Sequence, residues 1–271
     1  MTRSPLFAAS VCALLPLLPP AAAHAQAPTA YDCTHPFGLY DNMEVVYQLQ
    51  DADGKAAGTI RNRVVLLGSE QNKKQTITTN TVLLKSGLYD TKNRLLRLQD
   101  VTYLCRQDTS FTDGTSELNP ESLRSFRDRR FAYAPVPLAW PNQPTVGSTL
   151  PGGGVTVQVS STAVDIAQVY TRVQKRRITG TESVTTPAGT FECYKVESER
   201  ESATAARADM VMRTVNRTVD YYSPAVGLVK TEVYGKNGKL EQVRLLTTIN
   251  KTAAQPEQQL KVKEKYKSKK S

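Results

Sequence analysis

The sequence predicts a mainly β protein built from antiparallel strands. Runs of β-branched and aliphatic residues recur along most of the 271 residues, and these side chains suit a pleated, half-buried surface. The dipeptides Asp53-Gly54 and Asn237-Gly238 each separate two such runs, which is typical of a tight hairpin. Only one short stretch of the sequence is predicted to be helical.

Strands are predicted in the first half of the chain as a meander. The runs cover residues 40–50, 58–67, 75–84 and 94–104, and the first two are joined by Asp51-Ala52-Asp53-Gly54. We expect a two-residue turn with positive φ at both central residues here.

One short helix is predicted to follow. Asn119 is a suitable N-cap, Pro120 suits the first helical position, and Glu121 places negative charge in the first turn. Only Leu123, Phe126 and Arg127 share a face, so the helix should lie across an edge or mouth of the sheet.

Residues 134–154 are rich in proline and glycine, and two interpretations of them compete. They form either a linker between two domains or a long loop that joins two halves of one sheet. We favour the loop, because the strands on either side are too few to close two separate cores.

The second half repeats the hairpin pattern, with strands predicted in the ranges listed here: 164–179, 191–199, 208–222, 228–234 and 240–248. The turn Thr186-Pro187-Ala188-Gly189 and the Asn237-Gly238 turn separate consecutive strands.

The first 25 residues have the pattern of a secretory signal peptide. Arg3 precedes an apolar run over residues 6–18, and small-residue cleavage sites end at Ala25 and Ala27. We therefore expect a signal peptide over residues 1–25, a single curved-sheet domain over 26–255 and a basic disordered tail over 256–271. After cleavage of the signal peptide the protein should be periplasmic or secreted.

The net charge of +10 is concentrated at the C-terminus, where six lysines lie in the last eleven residues. Such a tail could contact anionic lipid head groups, but a solvated, disordered end is the interpretation we favour. The compartment and the lack of a basic stripe with interleaved aromatic residues argue against nucleic acid as a partner.

Three cysteines remain after the predicted signal peptide: Cys33, Cys105 and Cys193. Their wide spacing matches no zinc or redox motif, and two of three should pair in an oxidising compartment. We expect Cys33 to bond Cys105 and to tie down the N-terminus, with Cys193 as a buried thiol. Spacing alone also allows three free thiols.

No catalytic, cofactor or metal motif is present. His35 is the only histidine after the predicted signal peptide, which argues against a histidine-centred triad or a multi-histidine metal site. The nucleophile elbow, the phosphate-binding loop and the dinucleotide fingerprint are all missing from the sequence. We expect a protein that is not an enzyme and needs no cofactor.

Two segments of the last third resemble a known family. Thr185–Val196 and Tyr221–Glu232, followed by the Lys-Asn-Gly-Lys hairpin at 236–239, resemble the DUF3108-like and TapB-like bacterial envelope proteins. The resemblance implies a fold similar to that of the outer-membrane lipoprotein carriers, in which a strongly curved antiparallel sheet forms a half-barrel. It implies no chemistry.

A half-barrel offers a concave face that could bind a hydrophobic or amphipathic envelope ligand, such as a lipid. The residues that could line this cleft, each of which could equally be an ordinary core residue, are Val65, Leu67, Val82, Leu84, Leu96, Leu98, Tyr103, Val229 and Val233. The alternative function is a structural or adaptor module that pairs with envelope or secretion machinery through a sheet edge.

Overall fold

The computed structural model describes residues 33–126, 128–162, 164–207 and 210–251. The predicted signal peptide and the basic tail lie outside these residues. Fourteen described strands form one sheet: β1 (Glu44–Asp51), β2 (Ala56–Gln71), β3 (Thr78–Tyr89), β4 (Leu95–Arg106), β5 (Thr109–Thr112), β6 (Arg130–Val136), β7 (Leu138–Pro141), β8 (Thr149–Leu150), β9 (Gly153–Ser160), β10 (Asp165–Thr186), β11 (Gly189–Arg207), β12 (Met210–Ser223), β13 (Gly227–Tyr234) and β14 (Leu240–Asn250).

The sheet curls into a nearly closed barrel. Its order is β6-β9-β10-β11-β12-β13-β14-β1-β2-β3-β4-β5-β7, with β8 beside β10, and all described pairings are antiparallel. The two outermost strands, β6 and β7, are separated in the chain by Pro137 alone. One continuous stretch therefore supplies both edges, which requires the edges to come together. The mainly β prediction is confirmed, but the sheet closes further than a half-barrel.

The predicted hairpin turns are present with a different geometry. In the predicted turns that begin at Asp51 and Gly235, and in a further turn that begins at Asp90, the N–H of the fourth residue donates to the carbonyl of the first at 2.9–3.1 Å. Only that fourth residue has a positive φ: 77° at Gly54, 59° at Asn93 and 71° at Gly238. The expectation of two positive φ values is therefore wrong, because these are three-residue loops with a single left-handed residue.

The predicted short helix is not α-helical. Two 3₁₀ segments, Gly114–Glu117 and Pro120–Phe126, occupy this part of the chain. Asp113 caps the first segment, its Oδ1 accepting from the Thr115 N–H at 2.8 Å. A narrow apolar face gives a longer helix little to bury, so the chain makes two tight turns that follow the barrel surface instead.

The predicted loop at 134–154 is largely strand. It contains β7 and β8, the end of β6 and the start of β9. The glycines here permit close packing of backbones: a Cβ on Gly154, whose φ is 134°, would lie 2.0 Å from the Thr171 carbonyl oxygen, and one on Gly114 would lie 2.0 Å from that of Gly154. Pro/Gly content therefore reflects barrel closure rather than an unstructured loop.

The apolar core occupies one end of the barrel and a smaller cluster lies at the other. Trp140, Tyr222, Leu84 and Leu246 belong to the larger cluster. The smaller one includes Leu118 with valines of β9.

In the described part of the chain, helical segments are all too short to cross a membrane.

Candidate functional site

An internal cavity of about 350 Å³ lies inside the barrel. This volume is at the lower end of the range for small-molecule pockets. The apolar part of its lining consists of Leu49, Ile60, Leu88, Val101, Tyr103, Leu118, Leu138, Val173 and Val233. The polar part is equally extensive and includes the charged residues Arg97, Glu117, Arg200, Asp220, Glu241 and Arg244.

Strand register creates a row of polar side chains on one wall. Asn62 on β2 pairs with Ser86 on β3, and Ser86 pairs with Gln99 on β4. Residues paired across antiparallel strands point to the same face, so all three side chains enter the cavity. The adjacent row, two residues along each strand, contains Ile60, Leu88 and Arg97.

The opposite wall contains a network of charged residues. Arg200 Nη2 forms a salt bridge with Glu117 Oε2 and also donates to the Glu117 carbonyl at 3.1 Å. Asp220 Oδ1 accepts from the Thr231 hydroxyl at 2.7 Å, and Arg244 Nη2 donates to the same hydroxyl oxygen at 2.9 Å. Each of these two carboxylates is therefore held by a polar donor.

Burial is the main influence on the ionisation of this network. Burial raises the pKa of Asp220, and Glu117 raises it further, although Arg244 and the Thr231 hydroxyl oppose this change. Burial lowers the pKa of Arg244, but the carboxylates Glu117 and Asp220 outweigh burial and the net pKa is raised. The Arg244 guanidinium is therefore charged inside the barrel.

Two tyrosines stand beside this network. Burial raises the pKa of both Tyr47 and Tyr103, and the nearby Arg244 partly offsets the increase. The Arg244 guanidinium lies 5.7 Å from the Tyr47 ring centroid, within reach of a cation–π interaction. Both phenols are therefore protonated and neutral at physiological pH.

Polar atoms of the lining lack partners. Among the described residues that line the cavity, Asn62 Oδ1 and Arg200 Nε are buried without a hydrogen bond. Burial also lowers the pKa of Arg97, which forms no salt bridge with a described residue. The oxygen of Asn62, the Nε of Arg200 and the guanidinium of Arg97 therefore face the cavity without these partners among the described residues. Leaving such buried groups unpaired costs free energy, which a bound ligand could recover.

A gap in the barrel wall lies beside Arg97. The first nine residues of β4, Leu95–Tyr103, pair with β3 on one side, whereas β5 pairs only with residues 104–106. The 3₁₀ segments cover this gap: Leu118 and Asn119, which link them, line the cavity, and the Thr102 N–H donates to Asp113 at 3.1 Å.

The nine residues predicted to line a cleft divide into three groups. Tyr103 and Val233 line the cavity. Val82, Leu84 and Val229 are fully buried in the larger core cluster. Four are exposed instead, with 37–60% of each residue accessible: Val65, Leu67, Leu96 and Leu98.

The charged lining residues are those that sequence reasoning missed. On β4, Leu96 and Leu98 were predicted to line the cleft, but they are exposed, and the neighbouring Arg97 and Gln99 face inward. The one usable signal was the alternation itself, because Arg97, Gln99, Val101 and Tyr103 share a face.

Two cysteines join the N-terminal segment to the barrel. Cys33 and Cys105 form a disulfide, and Cys193 is a buried free thiol whose pKa burial raises to about 12.

Within the described ranges, potential metal ligands do not gather in groups of three or more.

Two solved structures share the fold. A "putative lipoprotein" from Parabacteroides distasonis has a TM-score of 0.63 and 22% identity, and the alignment covers 81% of this chain and 100% of that one. A "putative exported protein" with a YmcC-like fold, from Bacteroides fragilis, has a TM-score of 0.59 and 18% identity, with coverage of 81% and 100%. At these identities the likeness is one of fold alone.

Sequence comparison identifies the family of this protein. No curated protein matches the sequence. The family model for DUF3108-like proteins matches residues 42–246, which span β1 to β13 completely and the first seven residues of β14. The resemblance noted in the sequence is therefore confirmed, and this protein belongs to the DUF3108-like family.

Proposed function

We propose that this protein is a non-enzymatic binding protein of the bacterial envelope that holds an amphipathic molecule inside its barrel, in the manner of a lipoprotein-carrier fold. The observation that carries the proposal is the mixed lining of the cavity. Apolar side chains such as Leu49, Ile60 and Leu88 adjoin a polar row in which Asn62 has an unpaired, buried oxygen.

A wholly apolar ligand fits this lining less well than an amphipathic one. It would displace water from Asn62 and Arg200 without replacing the lost hydrogen bonds, at a cost of about 1–3 kcal/mol for each stranded group. An amphipathic ligand would place its chain on the apolar side chains and its polar group near these atoms.

The proposed compartment is the periplasm or the cell exterior. An N-terminal signal-peptide pattern and a disulfide between Cys33 and Cys105 both support export, since disulfides persist in oxidising compartments. The two structural neighbours bear names that refer to export or lipoprotein status, which agrees with this proposal.

Extraction of the purified protein tests the proposal directly. Organic extracts of protein isolated from a bacterial periplasm are compared by mass spectrometry with extracts of a mock purification. We expect an amphipathic compound at close to one molecule per chain. Absence of such a compound, together with failure to bind an added fluorescent fatty acid, would rule out this function.

A cavity-filling variant localises the binding. Ser86→Phe places a large side chain in the centre of the cavity wall, so it should abolish binding of the fluorescent fatty acid while leaving the melting temperature unchanged or higher. Thr102→Phe makes the same change at an exposed position on the neighbouring strand and should leave binding intact. Equal binding by both variants would place the ligand elsewhere.

An adaptor function is the second candidate, and the unpaired side of β4 favours it. Leu95–Tyr103 have no second neighbouring strand among the described residues, and Leu95, Leu96 and Leu98 are each more than half exposed. The exposed part of this edge, at Leu95–Leu98, could accept a strand from a partner, whereas Asp113 already accepts from the Thr102 N–H. An adaptor would keep its activity in the Ser86→Phe variant, which distinguishes the two candidates.

A further inference from the structure

We infer that the ligand carries an anionic head group, a carboxylate or a phosphate, that binds to Arg97 at the gap in the barrel wall. This inference rests on the proposed function and specifies the class of ligand. It is carried by the charge balance of the cavity, the surroundings of Arg97 and the unused donor of Arg200.

The interior of the barrel has one positive charge in excess. Three guanidinium groups face the cavity, on Arg97, Arg200 and Arg244, against the two carboxylates Glu117 and Asp220. The third carboxylate of the lining, Glu241, is exposed at the rim and accepts from the Asn216 amide at 3.0 Å. One anion would balance the charges inside.

Arg97 is the cation that lacks a counter-ion. Arg200 forms a salt bridge with Glu117, and Arg244 shares the Thr231 hydroxyl with Asp220. Arg97 forms no salt bridge with any described residue, yet it is buried enough to lower its pKa. A partly desolvated guanidinium with free donors is a strong binding group for carboxylate or phosphate.

The surroundings of Arg97 suit the rest of an amphipathic molecule. Arg97 pairs across the sheet with Leu88, and Leu88 pairs with Ile60, so an apolar strip leads away from the guanidinium along the cavity wall. Two residues along, Gln99 belongs to the polar row. The unpartnered Nε of Arg200 offers a further donor to an anion inside the same cavity.

Three probes with the same chain test the head group: octanoate, octyl phosphate and octanol. Their affinities for the purified protein are measured by isothermal titration calorimetry. We expect at least one of the two anions to bind about tenfold or more tightly than octanol, since an unpaired guanidinium forms charge-assisted hydrogen bonds. The tighter anion identifies the head group as carboxylate or phosphate.

Variants at Arg97 assign the preference to that side chain. Arg97→Gln should reduce the preference for the anion to less than threefold without changing octanol binding, and Arg97→Lys should retain most of it. The matched control is Arg213→Gln, an exposed arginine on the outer face of β12, which should behave as the unaltered protein.

Each outcome separates the inference from the function on which it rests. If octanol and both anions bind with equal affinity, or if Arg97→Gln keeps the full preference, the head-group inference is wrong and the amphipathic cavity stands. If none of the three probes binds and the fluorescent fatty acid also fails to bind, the proposed function itself is overturned.

Discussion

Arg176 shows how a single side chain can close the barrel. It is 1% exposed, and its Nη1 donates to the carbonyls of Ala139 on β7 and Pro151 before β9, both at 2.9 Å. Its guanidinium also lies 4.4 Å from the ring centroid of Trp140. Arg176 therefore joins β10 to the strand at the far edge of the sheet.

Position 176 faces inward because the strand contains a bulge. Lys175 has a φ of 53°, and the register of β10 against β11 shifts between Gln174 and Arg177. An extra residue in one strand reverses the faces of the residues that follow it. The sequence run Lys175-Arg176-Arg177 gave no indication of which basic side chain is buried.

Replacing Arg176 should weaken the contact between β10 and β7. Arg176→Met keeps an unbranched apolar stem but leaves the two carbonyls without a donor, so we expect a loss of roughly 2–4 kcal/mol in the free energy of unfolding. Urea denaturation followed by tryptophan fluorescence measures it. The desolvation of the buried guanidinium partly offsets the stabilisation from its hydrogen bonds. The same burial lowers the pKa of Arg176 to about 10.

The matched control is Arg172→Met on the same strand. Arg172 is exposed, so its loss should change the unfolding free energy by less than about 0.5 kcal/mol. If Arg176→Met is as stable as this control, the guanidinium does not hold the barrel edge.

At the scale of elements, the hairpins are the best-predicted features. The conformation of each turn depends on only a few adjacent residues, so the sequence signal for it is independent of the tertiary structure. The side chain of Asp51, for example, accepts from the N–H groups of Asp53 and Lys55 at 3.0 and 2.9 Å and fixes the first turn by itself. The prediction failed only in the number of left-handed residues.

The turn between β2 and β3 places a non-glycine residue in the left-handed region. Gln75 has a φ of 55° and an exposed side chain. Gln75→Gly should raise the free energy of unfolding by roughly 0.5–1 kcal/mol, because the strain of a Cβ in this conformation exceeds the extra entropy of the unfolded glycine. Thermal unfolding by circular dichroism measures the change.

The neighbouring residue gives the opposite expectation. Lys74 has no positive φ, so Lys74→Gly adds flexibility to the unfolded chain without relieving strain and should lower the stability slightly. A higher melting temperature for Lys74→Gly than for Gln75→Gly would contradict this account of the turn.

The 3₁₀ segments mark the limit of local signals. Asn119, Pro120 and Glu121 are good residues for a helix start, yet the chain does not continue as an α-helix. Helical stability in proteins comes mainly from burying an apolar face, and this segment instead covers a gap between strands of the barrel. Its conformation therefore depends on tertiary packing.

At the scale of the whole molecule, the disulfide fixes the N-terminal segment to one end of the barrel. Cys33 and Cys105 are 72 residues apart in sequence. Just after Cys33, the buried Phe37 ring packs 5.4 Å from that of Tyr103 and 6.3 Å from that of Tyr222, measured between centroids. The segment therefore packs its Phe37 side chain into the larger core cluster.

Removing this link should destabilise the fold substantially. For a loop of this length, loop-closure entropy predicts a loss of about 4 kcal/mol when Cys33 and Cys105 are both replaced by serine. The measurement is the urea midpoint of the double variant against the unaltered protein. Added dithiothreitol should lower the midpoint of the unaltered protein only; an equal response of both proteins would show that the effect does not arise from this bond.

The sequence by itself determined the class of fold, the approximate strand positions, most turns and the family. These features depend on hydrophobic alternation and turn residues that act over a few neighbours. Only the tertiary structure decided which face of each strand is inside, because bulges such as those at Val64/Leu66 and Gln174/Arg177 shift the alternation. On β4 no bulge interrupts the stretch from Arg97 to Tyr103, so its two faces could be told apart from the alternation. Only barrel closure decided that the face with Arg97 and Gln99, rather than the face with Leu96 and Leu98, lines the cavity.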